Sequence, residues 1–469
     1  MATMTKPEKF ARRIIKTLQD AGFEALFAGG CVRDMLLHKQ PEDYDIATSA
    51  LPNQVRSLFG HRRTLAIGLA FGVIEILGSK QTGNVQVATF RSDDTYTDGR
   101  HPDRVVFSSA AADAQRRDFT INGMFYDPVK EQFFDYVGGQ RDLKLKMIRA
   151  IGNPNTRFQE DRLRLLRAIR FSTRFGFELE ATTKTAIMEL APLITTVSAE
   201  RITDELRRMF QHPVRGQALK QTFDSGLLEH LFPEIHEPIS ENSRTEHKQQ
   251  ERILSQVFST LKQLDHAIEY IHSEFDSGTR SSAPQTLFPE CSTQNARFIL
   301  SMTVLINGLR QCQQTGVEQE EPSQQHSVAS PQIICRRMKL SNYETHHICW
   351  LVASMKWLMQ PDELPLSTLK RRLAHPCIKA LLVLYHADSH HRTTGHDDLH
   401  FCINTLKTMP EEELCPPPLV DGHDLIRQGI EPGPRIGEIL ENVRDAQLES
   451  DIRTRKDALQ FIKQQIRTH

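Results

Sequence analysis

The residues best equipped for chemistry lie near the N-terminus: Gly29, Gly30, Arg33 and Asp34, then Asp43-Tyr44-Asp45. Aspartates at i and i+2 project to one side of an extended chain. Side by side, their carboxylates supply the oxygen ligands that Mg²⁺ prefers, and two-metal catalysis needs carboxylates that bridge ions about 3.5–4 Å apart. Paired glycines let backbone N–H groups approach phosphate oxygens, and the guanidinium of Arg33 suits the same oxygens. A D-x-D pattern alone is more often two solvated acids in a turn. The upstream Gly-Gly-x-x-Arg-Asp changes that reading, because a phosphate cradle beside a metal clamp points to chemistry on a nucleoside triphosphate.

Two further clusters extend the set. In Arg116-Arg117-Asp118-Phe119-Thr120-Ile121-Asn122-Gly123-Met124 the arginines can reach phosphate, and Asp118 and Asn122 suit a ribose hydroxyl. Asp118 equally suits a helix N-cap. Six arginines fall between positions 157 and 174. A solvated charged face accounts for some of them. Asp161 and Arg164, at i and i+3, are expected on one helix face, where acceptor and donors together match the edge of a base. Arg167, Arg170 and Arg174 share a face by the same spacing and suit a polyphosphate or RNA backbone.

These groups need a scaffold. Residues 7–21 read as an amphipathic helix ending at Gly22, with Phe10, Ile14, Ile15 and Leu18 on its apolar face. Strand-like runs follow at 24–28, 43–47, 72–77, 84–90, 103–107 and 132–136. From about Arg157 the pattern turns helical and mostly stays so. Pro233–Ser243 and Gln313–Pro331 read as loops or linkers, and Cys415-Pro416-Pro417-Pro418 as a rigid break before a short helical tail. The 469 residues exceed one ordinary domain. A formal net charge of −1 means that any nucleic-acid surface is a local basic patch. No apolar run reaches the roughly 18 residues of a membrane span. The start lacks the apolar core of a secretory signal. Eight cysteines without a C-x-x-C pair argue against a structural zinc site and a disulfide framework, and fit reduced thiols in a cytoplasmic protein.

Taken in order, Gly29-Gly30-x-Val32-Arg33-Asp34 with Asp43-x-Asp45, Arg116 to Met124, Glu160-Asp161-x-x-Arg164, and Ser198 to Leu206 resemble the motifs of the class II tRNA nucleotidyltransferase (CCA-adding enzyme) and bacterial poly(A) polymerase family. The resemblance is strong over 20–235 and looser beyond, at Cys335 to Ser341 and Pro417 to Pro434. It implies an α+β fold, with a polymerase-β-like nucleotidyltransferase head on a mixed sheet followed by an all-helical neck, body and tail. The divisions expected are 1–145 for the catalytic head, 146–235 for the neck, 236–380 for a body resembling a degenerate HD domain, and 381–469 for a tRNA-binding tail. The activity implied is addition of C, C and A to the 3′ end of tRNA from CTP and ATP with Mg²⁺. By matched position, Asp43 and Asp45 are catalytic and bind metal. Gly29, Gly30, Arg33, Arg117, Asp118, Asn122, Asp161, Arg164, Arg167 and Arg170 bind nucleotide, with Asp161 and Arg164 reading the base.

Within the family, Gly60-His61-Arg62-Arg63 begins like a poly(A) polymerase segment. Ile67 to Ile74 fits the CCA type better. A loop at Arg91–His101 makes A addition possible, where CC-only relatives tend to lack one. The alternatives are a poly(A) polymerase, an A-adding tRNA enzyme, and an RNA-binding relative with weakened catalysis. Two departures stand out. Gln86 occupies a position where relatives commonly carry Glu, with Glu75 on the preceding strand as a candidate substitute. Ile306-Asn307 stands where an HD domain has its His-Asp pair. The histidines of 386–400 fit no specific ligand spacing.

Overall fold

The computed structural model describes residues 4–68, 72–93, 105–235, 243–276, 287–288, 291–314, 330–389 and 396–467. Most of the loop at Arg91–His101 and of the polar stretch Gln313–Pro331 lies outside these residues, as do His390 and His391. The chain divides into two compact units, Met1–Met209 with Gln217–Pro233, and Phe210–Gly216 with Glu234–His469.

The first unit begins with α1 (Lys6–Asp20), capped by the Thr5 side chain and buried along Phe10, Ile14, Ile15 and Leu18. Next come β1 (Ala25–Ala28), α2 (Gly30–Leu36), β2 (Ile46–Thr48), α3 (Pro52–Phe59), β3 (Thr64–Gly68), β4 (Val73–Ile76) and β5 (Val85–Thr89). A small hairpin, β6 (Arg91–Asp93) with β7 (Val105–Phe107), leads to α4 (Ala110–Gln115), β8 (Met124–Asp127) and β9 (Gln132–Asp135). The main sheet is mixed, in the order β3-β4-β5-β2-β1-β8-β9. Its β2–β5 pair is parallel and its β1–β2 and β1–β8 pairs are antiparallel. Leu26, Ala28, Ala47, Phe90 and Phe125 close a core behind it, where the Phe90 and Phe125 rings meet edge to face at 5.9 Å. Strands β3 and β8 are absent from the sequence reading. Leu65 and Ile67 of β3 are exposed, so it lacks the inward apolar repeat that marks a strand.

The unit continues through α5 (Gly139–Lys144), β10 (Met147–Ile148), α6 (Pro154–Glu160), α7 (Arg164–Phe175), β11 (Glu178–Leu179), α8 (Ala181–Leu190) and α9 (Ala199–Phe210). Asn153 caps α6 through its side chain, and Gly176 ends α7 in the left-handed region at φ 65°. After α10 (Arg215–Asp224) and α11 (Leu227–Leu231), the second unit has helices and no strand among its described residues.

That unit starts with α12 (Ser243–Asp276) and α13 (Thr293–Gln314). The two cross closely at Gly308, where a Cβ would lie 2.3 Å from Val257. Ile306 is fully buried on α13. The chain then forms α14 (Pro331–Arg337), α15 (Asn342–Ser354), α16 (Leu366–Leu373) and α17 (Ile378–Ser389). It ends in α18 (His396–Thr408), α19 (Glu411–Leu414), α20 (Gly422–Arg427), α21 (Pro434–Leu448) and α22 (Arg455–Arg467). The last three helices bury their own small core around Leu425, Val443, Ala458 and Ile462. No helix among the described residues is long and apolar enough to cross a membrane.

Candidate active site

The glycine turn at the end of β1 depends on its first residue. Gly29 has φ 73°, which side chains rarely adopt, and a Cβ there would lie 2.9 Å from Arg117 Nη1. Gly30 opens α2, which carries Arg33. Asp43 and Asp45 do not lie within a strand. They sit in the extended approach to β2, because Ile46 is the first residue in register with β1. The alternation still holds there: Asp43 and Asp45 are exposed and Tyr44 between them is buried.

One cleft of about 530 Å³ in the first unit is lined by Gly29, Gly30, Arg33, Asp43, Asp45, Arg117, Asp118, Asn122, Asp161, Arg164, Arg167 and Arg170. Cys31, Asp34, Glu42, Arg116, Phe171, Arg174 and Arg208 complete its wall. Every site residue picked out in the sequence therefore meets in one place.

Its back wall is a chain of charge-assisted hydrogen bonds. Arg33 is 5 % exposed. Its Nε donates to Asp34 Oδ1 at 2.9 Å, its Nη1 to Asn122 Oδ1 at 2.7 Å, and its guanidinium lies 4.5 Å from the Phe175 ring centre. Asn122 Nδ2 donates to Asp118 Oδ1 at 3.0 Å, and Arg167 donates to Asp118 Oδ2 from Nε at 3.0 Å and Nη2 at 2.6 Å. Asp118 is thus a junction rather than a helix cap. It also accepts from its neighbour, the Phe119 N–H, at 2.8 Å. Burial pushes its carboxyl up, but the charge and hydrogen bonds of Arg167, with help from Asn122, hold it down at about 2. Beyond Arg167, Arg170 donates to the buried Glu205 at 2.6 Å. Arg116 and Arg117 share Asp113, with nitrogen–oxygen distances of 2.8 and 2.9 Å.

Asp161 and Arg164 are not on one helix face. Asp161 is the extended residue that ends α6 (φ −145°), and α7 begins at Arg164. The break turns both side chains to the cleft by a bend instead of a helical repeat. Each is held separately. Arg201 Nη2 donates to both Asp161 oxygens at 3.0 and 2.9 Å. Arg164 donates to Glu160 at 2.8 Å and to the Arg116 carbonyl at 3.2 Å.

Against this paired wall, Asp43 and Asp45 stand out. Neither side chain forms a hydrogen bond or ion pair among the described residues. Desolvation by the cleft walls raises the pKa of Asp45; Arg117 opposes the shift and Asp43 adds to it. Two carboxylates facing an arginine wall, with no side-chain partner among the described residues, fit a divalent cation. Ile46 lies opposite Val87 in the β2–β5 ladder, so one step back sets Gln86 beside Asp45. Glu75 pairs with Gln86 on the far side, on β4, and does not line the cleft. Among the described residues no third carboxylate, His or Cys groups with the pair. The Cys31 thiol is pushed up to about 12 by burial and by Asp45, which leaves it protonated.

The sequence reading missed Glu205, Arg201 and Arg208 as parts of this site. On α9, Arg201, Glu205 and Arg208 fall at i, i+4 and i+7, a one-face spacing of which the resembling segment Ser198 to Leu206 already held the first two. The eight cysteines are all free.

A mixed-sheet head carrying this acid pair, followed by helices, defines a polymerase-β-like nucleotidyltransferase fold. Residues 25–149 match the family described as "Poly A polymerase head domain". Residues 176–238 match "Probable RNA and SrmB- binding site of polymerase A", and 323–462 match "tRNA nucleotidyltransferase domain 2". The CCA-adding enzyme of Limosilactobacillus reuteri is 42% identical over 223 residues, 47% of this chain and 54% of that one. That of Enterococcus faecalis is 43% identical over 212 residues, 45% of this chain and 51% of the other. Three segments of the chain thus match models of the polymerase A and tRNA nucleotidyltransferase type, and its N-terminal half is similar to CCA-adding enzymes. The aligned part spans about half the length of the curated relatives it matches. The fold is shared with the Bacillus stearothermophilus CCA-adding enzyme in complex with CTP, at TM-score 0.69, 24% identity and 99% coverage of both chains. It is also shared with the Thermotoga maritima CCA-adding enzyme complexed with tRNA, at TM-score 0.59 and 20% identity, covering 99% of this chain and 96% of that one.

Proposed function

We propose that the chain extends the 3′ end of tRNA with C, C and A, using CTP and ATP as substrates. One observation carries the reading: a pair of carboxylates, Asp43 and Asp45, without a side-chain partner among the described residues, opens onto the same cleft as the Asp118–Arg167 network and the Asp161–Arg164 bend. The names of the matched relatives support it.

In this reading Asp43 and Asp45 hold Mg²⁺, which when bound supplies charge neutralisation for the triphosphate and lowers the pKa of the attacking hydroxyl. The Gly29–Gly30 turn offers backbone N–H groups to phosphate oxygens. Arg33, Arg117, Arg167 and Arg170 set the positive field around them. Asn122 and the ionised Asp118 face the ribose. Asp161 accepts from the exocyclic amino group that cytosine and adenine share, while Arg164 donates to the adjacent ring nitrogen. Uracil and guanine present a carbonyl oxygen at that edge, opposite the Asp161 carboxylate, and are rejected because the polar groups are left mismatched. We assign catalysis to 1–145, nucleotide and RNA contacts to the neck at 146–235, and tRNA binding to the body at 236–380 and the tail at 381–469. A substrate of this kind places the chain in the cytoplasm.

Purified protein given Mg²⁺, single nucleoside triphosphates and tRNA transcripts lacking CCA, or ending in CC, tests this. CMP should enter the first transcript and AMP the second, and growth should stop at A. Long A tails would overturn the CCA assignment in favour of a poly(A) polymerase, and addition of A alone would narrow it to an A-adding enzyme.

A further inference from the structure

A second cavity, of about 410 Å³, lies wholly in the helical unit between α14 and α15. Arg336 and His346, both exposed, line it, Asn342 and Thr345 add neutral polar groups, and Trp350 adds an aromatic ring. None of its lining residues is acidic. The neighbouring Arg337 is engaged by Glu234, at 2.6 and 2.9 Å. Arg336 is exposed, and its guanidinium forms no hydrogen bond or ion pair among the described residues.

The aromatic ring is fixed in advance. Trp350 stacks on His375 with ring centres 3.7 Å apart and planes 9° from parallel. Trp357 meets Trp350 edge-on at 5.5 Å, and Arg372 covers Trp357 at 5.4 Å. His375 covers one face of Trp350 and the ring lines the cavity, so a side chain held this firmly offers a nucleobase an aromatic contact at little entropic loss. A guanidinium beside such a ring supplies the phosphate contact that single-stranded nucleic acid requires. The chain as a whole carries a net charge of −1, so RNA affinity must come from local features of this kind.

We propose that this cavity binds one unpaired nucleotide of the RNA partner, its base against Trp350 and its phosphate on Arg336. The inference rests on the reading that the chain acts on tRNA, and assigns part of that contact to the helical unit. Mixed polar groups around the ring favour sequence-tolerant binding rather than base readout.

The chain holds two tryptophans, and both are here, while the active-site cleft is lined by none. Intrinsic tryptophan emission of the full-length protein therefore reports on this cavity. Titration with tRNA should quench it. Trp350→Phe should abolish the quench and Trp357→Phe should retain it. The exposed Arg336→Ala should fold normally, weaken tRNA binding roughly three- to tenfold, and lower the salt dependence of log Kd by about one phosphate contact. Titration with CTP alone should leave the emission unchanged. Wild-type affinity and salt slope in Arg336→Ala, with no quench in the parent protein, would overturn the proposal. So would an equal quench by CTP alone. Failure of tRNA to bind by any method would overturn the tRNA reading itself, and this inference with it.

Discussion

Replacing Asp118 by Asn removes one charge and little volume from the centre of the cleft network. Asp118 is 9 % exposed and accepts four hydrogen bonds, two from Arg167 and one each from Asn122 and the Phe119 N–H. Its carboxyl stands at about 2 against an ordinary 3.8. At about 1.4 kcal/mol per tenfold, that difference corresponds to about 2 kcal/mol of stability at neutral pH. A depressed folded pKa places this stability above 3.8 and removes it as pH falls toward 2. Linkage leaves about half of it near pH 3. In the variant, Arg167 keeps Glu205 at 3.5 Å as an ion-pair partner. Thermal unfolding at neutral pH should then show a midpoint lower by about 4–8 °C, from 2–4 °C per kcal/mol for a unit of this size. The gap between parent and variant should narrow on acidification. A neutral-pH difference under about 0.5 kcal/mol, or one that widens in acid, would refute the claim that Asp118 is an ionised junction.

Three further outcomes follow from the geometry. Gly29→Ala forces a side chain into a φ of 73° and against Arg117 Nη1, so stability should drop by about 1–3 kcal/mol and triphosphate affinity should fall in equilibrium dialysis; unchanged affinity would remove the turn from the phosphate site. Arg201→Ala frees Asp161 and should admit UTP and GTP in incorporation assays without altering tRNA binding; intact selectivity would show that Asp161 needs no such anchor. Gln86→Glu sets a carboxylate beside Asp45 and should lower the Mg²⁺ concentration for half-maximal rate several-fold; no change in the Mg²⁺ titration would mean that position 86 does not reach the metal.

Much of this site is legible in the chain because its chemistry is carried by short local runs. Gly29-Gly30 to Asp45 lies on a strand, a turn and a helix that are neighbours in sequence. The alternation of Asp43, Tyr44 and Asp45 survives even outside a formal strand. The Asp161–Arg164 geometry was less legible. Spacing alone suggested a continuous helix, and Asp161 at the bend is held by Arg201, a partner distant in sequence that no local pattern reveals. Glu205 was hidden for the same reason, since a buried acid reads as an ordinary helix charge until Arg170 and Arg167 are seen around it. Strand β3 was missed because its outer face carries Leu65 and Ile67 in place of polar residues.

The central claim is that Asp43 and Asp45 form the metal site of a nucleotidyl transfer. Single-turnover incorporation of CMP into a tRNA transcript lacking CCA, measured for Asp45→Asn beside the parent protein, tests it most directly. A lost metal-ion contribution of several kcal/mol predicts a rate lower by about three orders of magnitude or more, with tRNA affinity unchanged. A rate within tenfold of the parent would contradict the assignment.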